Sequence, residues 1–364
     1  MSRPPYRVVQ WATGSIGQIA ILHVVDNPAF ELVGVYVTSE KKVGTDAGEI
    51  AAIPATGVLA THDIDAVLAL RADCVHYAPL HANVEDLCRI LRAGTNVVTP
   101  VGFVYPTPSS AADFDALRAA CAEGGSSFHG TGVHPGFSGD LLPLIFSRVM
   151  TRVEQIQVRE VADFRLHPSK AMQQALGFGR DAEDAVANPA PLIRTMDRIF
   201  EQSMTMVVEG LGHSVERFTV EFDVARARRD LHVRSGLIPA GTVGGMRFVW
   251  TAWVDGRPLV VFRTFWKMDD DLDPDWGYGS IKYSLLIDGD PSLEVNFESA
   301  AKHPDGDEGY WGRVWTAMNG VNVIPTVCDA PAGVLTHLDL PLARPRGLAR
   351  PRSATFGEPV GLPR

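Results

Sequence analysis

The run Val8-Val9-Gln10-Trp11-Ala12-Thr13-Gly14-Ser15-Ile16-Gly17 constrains the fold of this chain more than any other stretch. A short apolar strand enters a turn holding two glycines, and helical spacing begins at once with Ile16, Ile19, Ala20 and Val24. The pattern matches G-x-G-x-x-G, with Ala12 at the first glycine position. Gly14 lets the backbone approach a pyrophosphate, and Gly17 lets the helix pack on the strand. The amides of Ser15, Ile16 and Gly17 open the helix and face the anion. Ala12, Thr13, Gly14, Ser15, Ile16 and Gly17 are therefore the expected dinucleotide cradle. The bland alternative is an ordinary tight turn between a strand and a helix. The further strand–helix units downstream argue against it.

Strand and helix patterns alternate through the first half. Strand-like runs fall at 30–37, 58–60, 73–78, 96–99 and 127–133, and helix-like ones at 63–70, 83–93 and 110–123. Short connections between them predict parallel strands with right-handed crossovers, a doubly wound α/β sheet. The pattern changes near residue 150. A long strand at 153–164 and a Met-rich helix at 191–211 are followed by strand pairs, 243–254 with 258–268 around Asp255-Gly256, and 281–287 with 292–297 around Asp288-Gly289-Asp290. This predicts an α+β domain on a largely antiparallel sheet. One more helix is expected at 309–323, ending before Ile324-Pro325, and a flexible, Arg-rich tail at 342–364.

Composition narrows the function. The 43 acidic residues outweigh the 33 basic ones, for a net charge of −10, which disfavours sequence-independent nucleic-acid binding. No apolar run reaches the ~18 residues of a membrane span, and no signal peptide precedes the first strand. Cys74, Cys88, Cys121 and Cys328 form no C-x-x-C pair, so a reducing cytoplasm is expected. The acidic run 269–275 lacks calcium-loop spacing, reads as a solvated loop, and no metal is expected.

Thr38-Ser39-Glu40-Lys41-Lys42 follows the second strand, where an acidic residue would hold the ribose of NAD. Hydroxyls at Thr38 and Ser39 with Lys41 and Lys42 suit a 2′-phosphate instead, so NADP is preferred over NAD; solvated lysines are the alternative. Tyr77, Ala78, Thr99 and Pro100, at the ends of later strands, are expected to line the cofactor. For proton transfer, His134 follows a strand of the first sheet at its carboxyl end, and His167, Lys170 and Tyr105 are further candidates. A hydrogen-bonded loop histidine and solvated loop residues are the structural alternatives. Aromatic residues Phe248, Trp250, Trp253, Phe262, Phe265 and Trp266 split between core and pocket wall.

VVQWATGSIG, ELVGVYV, NVVTP, GTGVHPGFSGDLLPL, GFG at 177–179 and NGVNVIPTVCDAPAG at 319–333 resemble the dihydrodipicolinate reductase-like oxidoreductases, on the branch of 2,4-diaminopentanoate dehydrogenase and the native amine dehydrogenases. The resemblance implies an N-terminal Rossmann domain (1–150, with a returning helix near 309–335) and a substrate and dimerisation domain (151–308), hence a homodimer. It implies hydride transfer between NAD(P)H and a carbonyl or imine carbon. Residues 131–136, Gly132 among them, would lie beside the nicotinamide, and Asn322 with Pro325 would close over it. Two departures stand out. His134 replaces the usual Asn, and no carboxylate occurs at Thr99-Pro100-Val101-Gly102-Phe103, where amine dehydrogenases carry an ammonia-binding Glu. Reduction of a small, largely apolar ketone or preformed imine is therefore expected. Ammonia-dependent reductive amination is the alternative within the class, and a non-catalytic NAD(P)-binding sensor the alternative outside it.

Overall fold

The computed structural model describes residues 4–349, apart from 278, 280–281, 301–302 and 308. Its first sheet is built from β1 (Tyr6–Trp11), β2 (Phe30–Tyr36), β3 (Ala60–Thr61), β4 (Cys74–Tyr77), β5 (Asn96–Thr99) and β6 (Ser127–Gly130). Helices α1 (Ser15–Asp26), α2 (Ala47–Ala51), α3 (Ile64–Ala69), α4 (Val84–Arg92) and α5 (Ala111–Gly124) connect them. A short α6 (Leu141–Ser147) leads out to the second sheet. That sheet contains β7 (Arg152–Asp163), β8 (Arg217–Ala227), β11 (Val243–Val254), β12 (Arg257–Lys267), β13 (Leu272–Asp273), β14 (Lys282–Asp290) and β15 (Leu293–Phe297). Helices α7 (Lys170–Leu176), α8 (Ala182–Ala187) and α9 (Pro191–Gly210) precede β8, and β9 (Leu231–Val233) pairs with β10 (Gly236–Ile238) as a separate ribbon. The chain then returns to the first sheet through α10 (Gly309–Cys328) and β16 (Gly333–Leu335).

The first sheet is parallel throughout, in the order β16-β6-β5-β4-β1-β2-β3. Strand order reverses between β1 and β4, which opens a crevice at their carboxyl ends. Apolar residues of α1 and α10, including Ile21, Val24, Val321 and Ile324, pack on one face. Leu87, Leu91 and Leu117 of α4 and α5 pack on the other. Helix α10 crosses β4 at Gly320, where a Cβ would lie 2.6 Å from His76 Nε2, so only glycine allows that approach.

The second sheet runs β13-β8-β11-β12-β7-β14-β15, antiparallel except for β7 beside β12. Alternation along β11 puts Met246, Phe248, Trp250 and Ala252 on one face, where they bury with Phe200, Met204 and Val207 of α9. Phe200 and Trp250 lie 4.2 Å apart between ring centres.

Three expectations need correction. The helix expected to end before Ile324-Pro325 runs through Pro325 to Cys328. Proline removes one backbone bond there, but Ile324, Pro325 and Val327 are buried against the first sheet, and that burial outweighs the lost bond. The Asp288-Gly289-Asp290 turn is instead part of β14, bulged against β7, with the reversal at Pro291-Ser292. A Cβ on Gly289 would meet the Arg152 carbonyl at 2.1 Å, so this glycine serves strand pairing and not a turn. The start of the supposedly flexible tail is tied down. The Arg346 guanidinium pairs with Asp329 at 3.0 Å, and Asn27 Nδ2 donates to the Arg346 carbonyl at 2.9 Å. Residues 350–364 of that tail lie outside the described residues. Asp255-Gly256 does form the hairpin turn between β11 and β12, both residues having positive φ.

Candidate active site

The phosphate loop is built around strain that its neighbours support. Ala12 adopts φ +69°, the conformation the motif normally reserves for glycine. It is held there by its N–H to the Tyr36 carbonyl at 2.8 Å and by Gln10 Nε2 donating to its carbonyl at 2.9 Å. Gln10 is in turn bonded to His76 Nδ1 at 2.8 Å. The two motif glycines have different surroundings. A Cβ on Gly17 would lie 2.1 Å from the Ala12 carbonyl oxygen, whereas a Cβ on Gly14 meets no protein atom within 4 Å. Gly14 caps α1 with φ −72°, a conformation open to any residue, and no side chain caps the helix. Nothing in the described structure requires glycine at 14. The free space over it and the unpaired amides opening α1 fit a dinucleotide pyrophosphate.

The second strand's end provides Thr38 and Ser39, both exposed, and Lys41, also exposed. Lys42 turns back, its Nζ donating to the Thr13 carbonyl and hydroxyl, each at 3.0 Å. At the switch point Trp11 stacks on Tyr36 at 3.7 Å, and Tyr77 lies 5.6 Å from Trp11. Tyr77 is buried and its hydroxyl accepts the Asn83 N–H; burial pushes its pKa up to about 12. Thr99 donates to the Tyr77 carbonyl at 2.7 Å, locking β5 to β4.

A cavity of about 320 Å³ begins where this loop ends. Ile16, Ala78, Pro79, Pro100 and Val101, which follow the carboxyl ends of β1, β4 and β5, form its first-sheet side. Met172, Leu176, Leu192, Met196, Ile199 and Trp266, from α7, α9 and β12, form its apolar far wall. Asp163, His167 and Arg313, together with His134, Glu160 and Tyr283, supply the polar part of the lining. Arg313 is ion-paired with the buried Asp307 at 2.5 Å. A crevice of about 740 Å³ under residues 326–346 shares no residue with this cavity.

The four proton-transfer candidates separate. His134 reaches the cavity, but its side chain is fully buried among Phe200, Phe262 and Tyr283. Neither ring nitrogen has a hydrogen-bond partner, and burial lowers its pKa to about 3. It is neutral near pH 7 and has no titrating proton there. His167 also lines the cavity, where burial and then Arg313 lower its pKa to about 4. Lys170 is exposed at the start of α7 and Tyr105 donates to Glu209 at 2.5 Å; neither lines the cavity. Lys170 stands exposed at the first position of α7, and Glu209 of α9 draws the Tyr105 hydroxyl away.

Glu160 is the residue that sequence reading missed. It is 8% exposed and lines the cavity. Burial pushes its carboxyl up to about 7, against the opposing pull of donors on Trp266, Tyr283 and Thr264. A signal was available: along β7, Ile156, Val158, Glu160 and Ala162 share one parity, so a carboxylate stands on the apolar face.

The loop 131–140 is fixed from outside. Asn319 Nδ2 reaches Thr131 Oγ1, the Gly132 carbonyl and the Gly136 carbonyl at 2.7, 2.8 and 2.9 Å. The Asp140 carboxylate accepts from Gly136 N–H and Ser203. His337 Nε2 donates to the Gly136 carbonyl at 2.7 Å. Gly132 itself is crowded, a Cβ there lying 3.0 Å from the Pro135 carbonyl. Asn322, expected over the nicotinamide, leaves Oδ1 buried without a protein partner. The acidic run is drawn into ion pairs: Asp269 with Arg229, Asp271 and Asp273 with Arg228, and Asp270 with Lys267.

The model of the 2,4-diaminopentanoate dehydrogenase C-terminal domain matches residues 137–350. An amine dehydrogenase of Streptomyces virginiae is 31% identical over 349 residues, 92% of this chain and 96% of its own. A 2,4-diaminopentanoate dehydrogenase of Acetoanaerobium sticklandii is 24% identical over 265 residues, 72% of this chain and 69% of its own. Among solved structures, amine dehydrogenase from Mycobacterium smegmatis superposes with a TM-score of 0.78 at 21% identity, covering 94% of this chain and 98% of that one. GenD2 from gentamicin A biosynthesis, in complex with NAD, shares the fold at a TM-score of 0.54 and 13% identity, covering 90% and 88%.

Proposed function

The chain belongs to the family of 2,4-diaminopentanoate dehydrogenases and amine dehydrogenases, NAD(P)-dependent oxidoreductases, and from that premise we propose that it reduces the C=O or C=N carbon of a small, largely apolar substrate in the 320 Å³ cavity. One observation carries the reading. The phosphate loop, with its open face at Gly14, leads through Ile16 straight into an apolar cavity at the carboxyl edge of the first sheet.

A bound nicotinamide would supply the hydride. Gly14, Ser15, Ile16 and Gly17 would hold its pyrophosphate, and Ala78, Pro100 and Gly132 would border its ring. Met172, Leu176, Met196 and Trp266 exclude water from the reacting carbon and select apolar substituents. Thr38, Ser39 and Lys41 favour the 2′-phosphate of NADP, since no carboxylate ends the strand itself, while Lys42 is engaged by Thr13. We assign contact with a second copy to the second domain, as the family resemblance implies. Four free cysteines are consistent with a cytoplasmic setting, and no described helix is long and apolar enough to cross a membrane.

The test is direct. NADPH and NADH are titrated by fluorescence, and cofactor oxidation is followed on aldehydes, ketones and cyclic imines, with and without ammonia. Tighter binding of NADPH and turnover on apolar ketones or imines is expected. Turnover that requires ammonia moves the reading to reductive amination, a second reading that the relatives' names favour. Binding without any turnover is the result a sensor would give, and it overturns the proposal.

A further inference from the structure

We propose that Glu160 is the acid–base residue of this cavity, supplied by the second domain to the heteroatom of the substrate. The assignment rests on the hydride-transfer reading above. Register brings the group together. On β7, Glu160 lies directly opposite Thr264 of β12 on one side and Tyr283 of β14 on the other. Side chains paired in register share a face of the sheet, and this face looks into the cavity. The Tyr283 hydroxyl donates to Glu160 Oε1 at 3.3 Å.

The surroundings explain why a carboxyl here acts and does not only pack. His134 Nε2 is 3.8 Å from Glu160 Oε2, beyond hydrogen-bonding distance. Both His134 nitrogens are buried without hydrogen-bond partners, while Trp266 and Thr264 turn their polar groups towards Glu160. Buried polar atoms left unpaired mark a place where another polar group belongs. A substrate oxygen or nitrogen and its water meet that need. Among the described residues no cation pairs with Glu160: Arg313, which lines the cavity, is committed to Asp307, and the other ionisable groups facing the space are Asp163, His134, His167 and Tyr283. A carboxyl so placed holds its proton near neutral pH, in keeping with its rise to about 7.

The step balances. In reduction a bound nicotinamide would supply the hydride for the new C–H bond as the C=O or C=N π bond breaks. The Glu160 carboxyl gives its proton to the oxygen or nitrogen, leaving a carboxylate that solvent reprotonates. The cofactor loses two electrons and the substrate gains them. In the oxidative direction the carboxylate removes the O–H or N–H proton. Tyr283 holds the carboxyl in place and is a positioning residue.

Glu160→Gln keeps the shape and the Tyr283 contact and removes the titration. Wild type and variant are compared for melting temperature, NADPH affinity, turnover and pH profile on whichever panel substrate the wild type reduces. The expected result is a folded variant with unchanged NADPH affinity, kcat lowered at least about hundredfold, and no limb near pH 7 in the remaining kcat/KM profile. Glu160→Asp, which keeps a shorter carboxyl, retains more activity than the glutamine variant. Tryptophan fluorescence, to which Trp266 beside the carboxyl contributes, adds a readout without substrate: a step near pH 7 in the wild type is absent from Glu160→Gln. An active wild type with an equally active Glu160→Gln, or a pH limb that survives the substitution, overturns this assignment alone. A wild type that binds NADPH and reduces nothing overturns the functional reading, and this assignment with it.

Discussion

Gly14→Asp is expected to yield a protein that is at least as stable as the wild type and does not bind its cofactor. The two effects come from one place. Gly14 caps α1 in an extended conformation with no side-chain bond to the helix, and its Cβ position is empty to 4 Å. Aspartate is a favoured cap, and a negative charge suits the positive end of the helix. Together these contribute roughly 0.5–1 kcal/mol in its favour, with no clash to offset them. The same carboxylate occupies the pyrophosphate's space and repels its charge. Loss of those amide contacts alone is worth about 3 kcal/mol, or a hundredfold or more in Kd. Gly17→Ala is the control. Its Cβ would lie 2.1 Å from the Ala12 carbonyl, so the loop or helix must shift, at about 1–3 kcal/mol. The assay pairs thermal unfolding of the apo proteins with NADPH titration. Retained binding by Gly14→Asp refutes the cradle, and a large fall in its melting temperature refutes the loop geometry.

Ala12→Gly removes a left-handed alanine costing about 1–2 kcal/mol and adds about 0.5–1 kcal/mol of unfolded-chain freedom, so urea unfolding should show between no change and about 1.5 kcal/mol of stabilisation; a clear loss contradicts the φ assignment. Gly139→Ala would bring a Cβ to 2.5 Å from His134 Nδ1 in its aromatic cage, lowering stability by about 1–3 kcal/mol by the same measurement. Glu160 carries a folded pKa of about 7 against 4.5 when unfolded, so the native state holds the extra proton between those values. Its contribution is complete below pH 4.5 and is lost as pH rises through 7, a change of about 3 kcal/mol. Glu160→Gln should therefore gain on the wild type between about pH 5 and 8, and a stability difference that ignores pH would contradict the burial argument.

Local patterns carried the first sheet well. Each strand–helix unit there is sealed by its own periodicity and caps, such as Asn83 accepting from the Glu85 and Asp86 amides. What escaped was set by distant partners. Three residues, Gly333–Leu335, become a strand only because β6 presents an open edge. Pro325 stays helical because buried neighbours hold it. The same holds for the site. The strand–turn–helix around Gly14 and Gly17 was legible from spacing alone, while His134's enclosure depends on Phe200 and Phe262, far away in the chain. Glu160 was legible by parity in β7, but the cavity it faces exists only once α9 and β12 have packed. Asn319 and His337, which fix the loop at 131–136, carry no local mark of that task.

The late position of α10 and β16 bears on how the molecule is made. The first sheet lacks its last strand and one covering helix until residue 335 has been synthesised, although its first six strands are finished by residue 130. On the ribosome, the apolar face that receives Val321 and Ile324 waits, uncovered, while the whole second sheet emerges. Such a nascent chain has an unpaired edge at β6 and a long interval in which to meet another chain. A shortened transcript ending anywhere before the returning helix would yield an incomplete nucleotide domain. His337 then joins the same closing segment to Gly136, so the loop beside the cavity takes its final contacts among the last of all.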